Sequence, residues 1–369
     1  MYAVPGVGNQ SVQDHLGDIR DNILLFAEKA NNGPMIIYDQ EEKMTLYEFG
    51  IEIPVSDSRV SKTFEKLKSH KILGERVRDW HIKKVEEKIS KTDLLRVHSK
   101  GFVKTLYSDQ LESEIIRAYE LIDNEGRYHR YDPANASMPL TALYERILKK
   151  VSGTLQCCRV ALENGFCFYF GGGMHHAQKN YGNGFCLLND IAIAIRKLQA
   201  EKVVKQAWII DVDAHKGDGT AALTEGDDSV TTLSIHMAEG WPLDEAKYDS
   251  GGKLNPSFIP SDIDIPIAAG EEHLYVSRLK EGLRILDSQP TADIAIVVAG
   301  ADPYEKDELP SVKLLQLSLA QLQERDLLIY DFLQNKSIPT AYLMAGGYGE
   351  SAWEVYAQFL EWALLDNLE

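Results

Sequence analysis

V-V-K-Q-A-W-I-I-D-V-D-A-H, residues 203–215, turns abruptly from apolar to acidic. Residues 203–212 read as a strand. Trp208, Ile209 and Ile210 form the continuous apolar run expected of a strand buried on both faces of a parallel sheet. Alternate residues of an extended chain face the same way, so Asp211, Asp213 and His215 line one face at the strand's end. Carboxylates packed that closely repel each other unless a cation sits among them. Open α/β sheets bind ligands beyond the carboxyl ends of their strands. The segment therefore points to part of a catalytic metal site. A solvated loop with a helix N-cap is the bland alternative, and an apolar strand leading into these residues argues against it. Nothing in the segment alone names the metal.

The pattern outside this stretch alternates strands with helices. Residues 35–38 read as a first strand, and what precedes them has no readable period. Residues 63–69, the charged stretch 79–90, and residues 108–119 and 140–164 read as helices. A short apolar strand, 166–170, breaks into Gly171-Gly172-Gly173. Then come a helix (189–200), a strand (230–235) and a short strand (263–267) that Pro266 confines to an edge. Residues 273–288, 315–333 and 352–365 read as helices, with strands at 294–298 and 340–344 between them. Such alternation implies parallel crossovers and an α/β, doubly wound sheet.

The chain has 369 residues, 44% of them apolar, enough for a large core. No apolar run is long enough to span a bilayer. Residues 1–10 lack a basic start followed by an apolar core, so no secretory signal is expected. The net charge of −17 disfavours non-specific nucleic-acid binding. Cys157, Cys158, Cys167 and Cys186 form no C-x-x-C pair, which argues against a disulfide framework and for a reducing, cytoplasmic setting.

Three further segments follow apolar strands. G-G-G-M-H-H-A-Q-K-N-Y-G-N-G-F-C-L-L-N-D, residues 171–190, carries adjacent histidines after a glycine turn. His175 and His176 can be ligands, acid/base groups or neither, and Phe185 an aromatic wall or a core ring. In A-G-A-D-P-Y-E-K-D, residues 299–307, Asp302 is a candidate third metal ligand or an Asx-turn ahead of Pro303. In L-M-A-G-G-Y-G-E, residues 343–350, Tyr348 can swing over a site or sit as an ordinary loop tyrosine. Gly217-Asp218-Gly219 lacks the Lys-Ser/Thr ending of a phosphate loop.

All four segments, in this order, resemble the histone deacetylase family, including bacterial deacetylase-like amidohydrolases and acetylpolyamine amidohydrolases. The likeness is clearest over residues 166–348 and weak over the first hundred or so, though L-L-R-V-H-S (94–99) is similar to the family's segment before its early pocket loop. The resemblance implies one arginase/deacetylase-like α/β domain over residues 1–369, its motif-bearing core at about 166–350. It implies one catalytic zinc held by Asp213, His215 and Asp302. His175 and His176 become the catalytic histidines, paired with Asp211 and Asp218, and Tyr348 the transition-state tyrosine. Gly184, Phe185 and Trp241 become the walls of an acyl-lysine tunnel. A potassium ion is implied at Asp211, Ser234 and the backbone around Asp213, His215 and Ile235.

The chemistry implied is hydrolysis of an acyl-amide, with an acylated lysine of a protein or peptide, or an acylated polyamine, as substrate. Neutral His176 would take a proton from the attacking water, and either histidine would return one to the leaving amine. Lys216 stands where relatives carry His or Gln, and Pro303 departs from their usual small-residue loop. An acidic residue at the mouth, as Glu239 or Asp244 could supply, would suit a polyamine. The rivals are an arginase-type di-manganese ureohydrolase, against which Lys216 and Tyr348 argue, and a non-catalytic binding module of the same fold.

Overall fold

The computed structural model describes residues 33–123 and 125–366. The reading of residues 1–10 falls outside them. Among the described residues eight strands form one parallel sheet: β1 (Met35–Ile37), β2 (His81–Ile82), β3 (Phe166–Tyr169), β4 (Ala207–Asp211), β5 (Val230–Met237), β6 (Ile263–Ile267), β7 (Ile294–Val298) and β8 (Thr340–Leu343). Their order across the sheet is β2-β1-β3-β8-β7-β4-β5-β6, and every pair is parallel.

Helices cover both faces, which explains why β4 is apolar throughout rather than alternating. Ile209 packs with Ile296, Ala341 and Leu343 under the helices Leu143–Asn164 and Asp190–Ala200. Trp208, Ile210 and Val297 face the other way, beneath Tyr275–Leu286, Leu319–Gln334 and Trp353–Asp366. β6 lies at the edge, with Pro266 opposite His236, as a residue lacking an N–H requires. No helix of the described residues is long and apolar enough to cross a membrane.

The helix expected over 79–90 does not exist. Trp80 ends a single turn, His81 and Ile82 pair with β1, and residues 83–90 form no helix. The side chains of the long helix Leu143–Asn164 bind this segment's backbone: Gln156 Oε1 accepts from Glu86 N at 2.6 Å and Ser152 Oγ from Ile89 N at 3.2 Å. Ile82, Val85 and Ile89 still pack against the core from this extended segment, while the side-chain partners take the backbone N–H groups that a helix would have used. β4 starts later than expected, at Ala207. The Lys205 and Gln206 N–H groups instead donate to Asp293 Oδ2, and Val203 is 46% exposed. The helix expected from residue 315 starts at Leu319, behind a Ser318–Gln321 capping box.

Candidate metal centre and hydrolytic site

The four motif segments follow β3, β8, β7 and β4, which are four consecutive strands of the sheet. Their carboxyl ends therefore open on one place. Asp213 and His215 arrive from β4, Asp302 from β7, the histidine pair from β3 and Tyr348 from β8.

Asp213, His215 and Asp302 are buried, and one ligand atom from each lies within 4.8 Å of the others. His215 Nδ1 stands 3.1 Å from Asp302 Oδ2 and 3.4 Å from Asp213 Oδ1. Its other ring nitrogen lies 3.1 Å from Ser311 Oγ, the kind of outer partner that orients a ligating imidazole. Backbone N–H groups aim the carboxylates. Ala214 N donates to Asp302 Oδ1 at 3.0 Å, and Gly346 N donates to Asp213 Oδ2 at 3.0 Å. A Cβ on Gly346 would come within 2.5 Å of Asp213 Oδ2, so only glycine lets that backbone approach.

The electrostatics show that the cluster fits a divalent cation. Burial, then the Asp213 charge, raises the Asp302 pKa to about 6. Burial opposes a charge on His215, but its hydrogen bonds to the Asp213 and Asp302 carboxylates overcome it and raise its pKa to about 9. The two carboxylates thus favour a positive charge between them, which a divalent cation would supply. Two carboxylates and one imidazole suit zinc and leave room for water and substrate. Lys216 contributes no ligand, its Nζ lying 3.8 Å from Asp264 Oδ1.

The histidines stack with ring centroids 3.9 Å apart, yet their environments differ. His175 Nδ1–H donates to Asp211 Oδ2 and His176 Nδ1–H to Asp218 Oδ1, both at 2.7 Å. Burial opposes charging His175, but the Asp211 and Asp213 charges outweigh it and raise its pKa to about 10. Burial and the neighbouring His175 hold His176 down to about 4. Asp218 is shared, since its Oδ2 also accepts from Gln178 Nε2 at 2.9 Å and from Ser257 Oγ at 2.7 Å. Burial, then the Asp302 and Asp213 charges, raises the Tyr348 pKa well above its usual value, so its hydroxyl keeps its proton.

Gly184, Phe185 and Trp241 gather at the mouth. Trp241 sets its ring edge-on to His176, centroids 4.5 Å apart, and Phe185 faces Tyr348 at 6.5 Å. Asp244, Glu120 and Arg130 line this outer opening, whereas Glu239 does not. Across β4 and β5, Asp211 pairs with Ser234, whose buried Oγ has no hydrogen-bond partner, and Ile235 follows it, fully buried.

Several site residues escape sequence reading. Asp190 accepts from Gly173 N at 2.9 Å and Met174 N at 2.6 Å, fixing the glycine turn ahead of the histidines. Buried His98 accepts from Asn189 N at 3.1 Å and donates to the Gln178 carbonyl at 3.0 Å. Asp307 anchors the turn that carries Tyr348. Asp190 and Asp307 both lie inside the motif segments, but their unremarkable spacing gives no signal.

A family profile described as the histone deacetylase domain matches residues 53–362. Among curated relatives, an uncharacterized protein of Picosynechococcus sp. is 32% identical over 208 residues, covering 56% of this chain and 64% of that protein. Histone deacetylase 2 of Arabidopsis thaliana is 28% identical over 276 residues, or 74% of this chain and 65% of that protein. The chain thus spans just under two thirds of both. The acetoin utilization protein AcuC of Staphylococcus aureus is 26% identical over 331 residues, covering 86% of this chain and 78% of its own length. With the matched region running across nearly the whole sheet and every motif segment, this chain belongs to the histone deacetylase family.

Proposed function

We propose that the chain hydrolyses an acyl-amide bond, that of an Nε-acylated lysine in a protein or peptide, with one zinc held by Asp213, His215 and Asp302. One observation carries the reading: a buried ligand triad stands beside two stacked histidines, each hydrogen-bonded to its own buried aspartate, and beside Tyr348. Zinc bound there supplies a Lewis acid for the amide carbonyl and for water. Asp218 keeps a proton on His176 Nδ1, leaving Nε2 free to accept one from the attacking water. His175, cationic between Asp211 and Asp213, is the proton source for the leaving amine. Tyr348 donates to the developing oxyanion, a role worth roughly 3 kcal/mol. Gly184, Phe185 and Trp241 flank the lysine stem.

Potassium is part of the same proposal. Asp211, Ser234 and the backbone around Asp213, His215 and Ile235 would hold it, and the unpartnered Ser234 Oγ supports that assignment. The reading takes residues 1–369 as one catalytic domain. Four buried, free cysteines support a reducing, cytoplasmic setting. Glu120 and Asp244 at the mouth favour a second substrate reading, an acylated polyamine. The test is turnover of an acyl-lysine peptide by zinc-loaded Tyr348→Phe and His176→Ala. Losses of about a hundredfold or more in both are expected. Near-wild-type rates with zinc retained would overturn the assignment.

A further inference from the structure

The backbone rungs between β4 and β7 stop just short of the metal cluster. Val212 N donates to Val298 O at 3.1 Å. Past that rung, among the described residues, no backbone–backbone hydrogen bond joins the two stretches, although they deliver Asp213 and Asp302 to one place. A third element takes up the carbonyls that the ladder leaves. Arg325, on the helix Leu319–Gln334, donates through Nη1 to Val212 O at 3.1 Å and to Gly300 O at 2.8 Å.

Both carbonyls belong to ligand-bearing loops. Val212 immediately precedes Asp213, and Gly300 lies two residues before Asp302. Arg325 is fully buried, which is rare for its residue type unless it is paired. Its ionic partner is its chain neighbour Asp326, whose Oδ1 accepts from Nε at 2.8 Å. A buried pair of this kind adds little net stability, so stability alone is a poor reason for it. Its geometry supplies a better one. A guanidinium is planar, and Asp326 on Nε fixes the orientation of that plane. The two N–H groups of Nη1 then leave in set directions, one to each loop. A lysine ammonium rotates and imposes no such spacing. Ala214 N also bridges the loops, but through the Asp302 carboxylate, which a metal would share. Arg325 grips main-chain oxygens and does not compete with an ion for the ligand atoms.

We propose that Arg325 is a positioning residue for the metal cluster. Acting through two main-chain carbonyls, it sets the separation of the Asp213 and Asp302 loops, and thereby the affinity for zinc. This rests on the zinc-triad reading above.

The test measures zinc affinity by competition with a chelator, together with the melting temperature of the metal-free protein. It compares the wild type, Arg325→Lys, Arg325→Met, and Arg325→Met combined with Asp326→Leu. The double variant removes both charges and so leaves no unpaired ion in the core. Both Met variants are expected to lose about tenfold or more in zinc affinity. Arg325→Lys, which keeps the charge without the fork, should fall between them and the wild type. The double variant should melt close to the wild type when metal-free. Zinc affinity within about twofold of wild type in the double variant overturns the proposal. A loss of affinity fully matched by unfolding of the metal-free variant also overturns it, assigning Arg325 to packing. Hydrogen exchange of the wild type decides the matter even if no variant folds. Zinc should slow amide exchange in the helix Leu319–Gln334 more than in the neighbouring Tyr275–Leu286, because coupling between the two sites is reciprocal. Equal slowing in both helices, or none, overturns the proposal. A wild type that binds no zinc overturns the metal reading and this inference with it. A wild type that binds zinc, with variants that bind it equally well, sinks this inference alone.

Discussion

The Asp307 carboxylate accepts the backbone N–H of Tyr348 at 2.7 Å and that of Leu309 at 2.8 Å, so the loop after β7 holds the turn after β8. Burial and the Asp302 charge raise its pKa to about 7. Removing the carboxylate frees the turn without touching a metal ligand. Asp307→Ala should lower kcat about 10-fold or more, the worth of two buried hydrogen bonds, with zinc content unchanged. Steady-state kinetics and metal analysis check it, and a kcat within twofold of wild type would mean that Tyr348 is held by other contacts.

Gly184 has φ +53°, and a Cβ there would lie 2.1 Å from Trp241 Cη2 and 2.7 Å from His176 Cδ2. Gly184→Ala should therefore displace the tunnel wall and cost about tenfold or more in kcat/KM. Equal kinetics in variant and wild type would place the substrate path elsewhere.

Zinc has to displace the proton that gives His215 its pKa of about 9. Below that value the imidazolium competes with the metal, so apparent zinc affinity should climb about tenfold per pH unit as pH rises toward 9. Titration calorimetry in buffers of different ionisation heat should report about one proton released per zinc near neutral pH. Chelation should abolish turnover, zinc should restore it, and Asp302→Ala should bind no zinc. A pH-independent affinity would argue against the triad.

His98 is 2% exposed and bonded through both ring nitrogens, one as an acceptor, which only the neutral ring can be. Burial lowers its pKa to about 4, against 6.5 for the unburied group. The unfolded state therefore takes up the proton first. The neutral ring's contribution is complete above about pH 6.5 and is lost as pH falls toward 4, a change of about 3 kcal/mol. Urea unfolding of wild type and His98→Asn at several pH values should show the gap between them narrowing over that window. A constant gap would assign the acid sensitivity to other groups.

The sheet and the chemistry at its edge were legible for a common reason. Apolar runs that end in Asp, His or Gly record both the burial of a parallel strand and the site at its carboxyl end. The i, i+2 spacing of Asp211, Asp213 and His215 is local, so it survives in a bare sequence. Their division between histidine partner and metal cluster is not local, because it depends on which strand lies beside which. Asp307, Ser311, Ser257 and Gln178 were silent for that reason, their partners lying far away in the chain. Residues 79–90 misled because helix propensity there competes with donor-hungry side chains more than sixty residues later.

Strand order also governs when the site comes into being. Ala214 and Asp302 touch across 88 residues of chain, because β7 slots in beside β4 only after β5 and β6 have been laid down. A chain emerging from the ribosome carries two of the three ligands long before the third, and Tyr348 later still. A translation product cut short before β8 lacks that tyrosine, and one cut before β7 lacks Asp302 as well. On the proposed reading, a fragment that stops before β7 would hold only two of the three metal-binding side chains and would not be expected to turn over substrate.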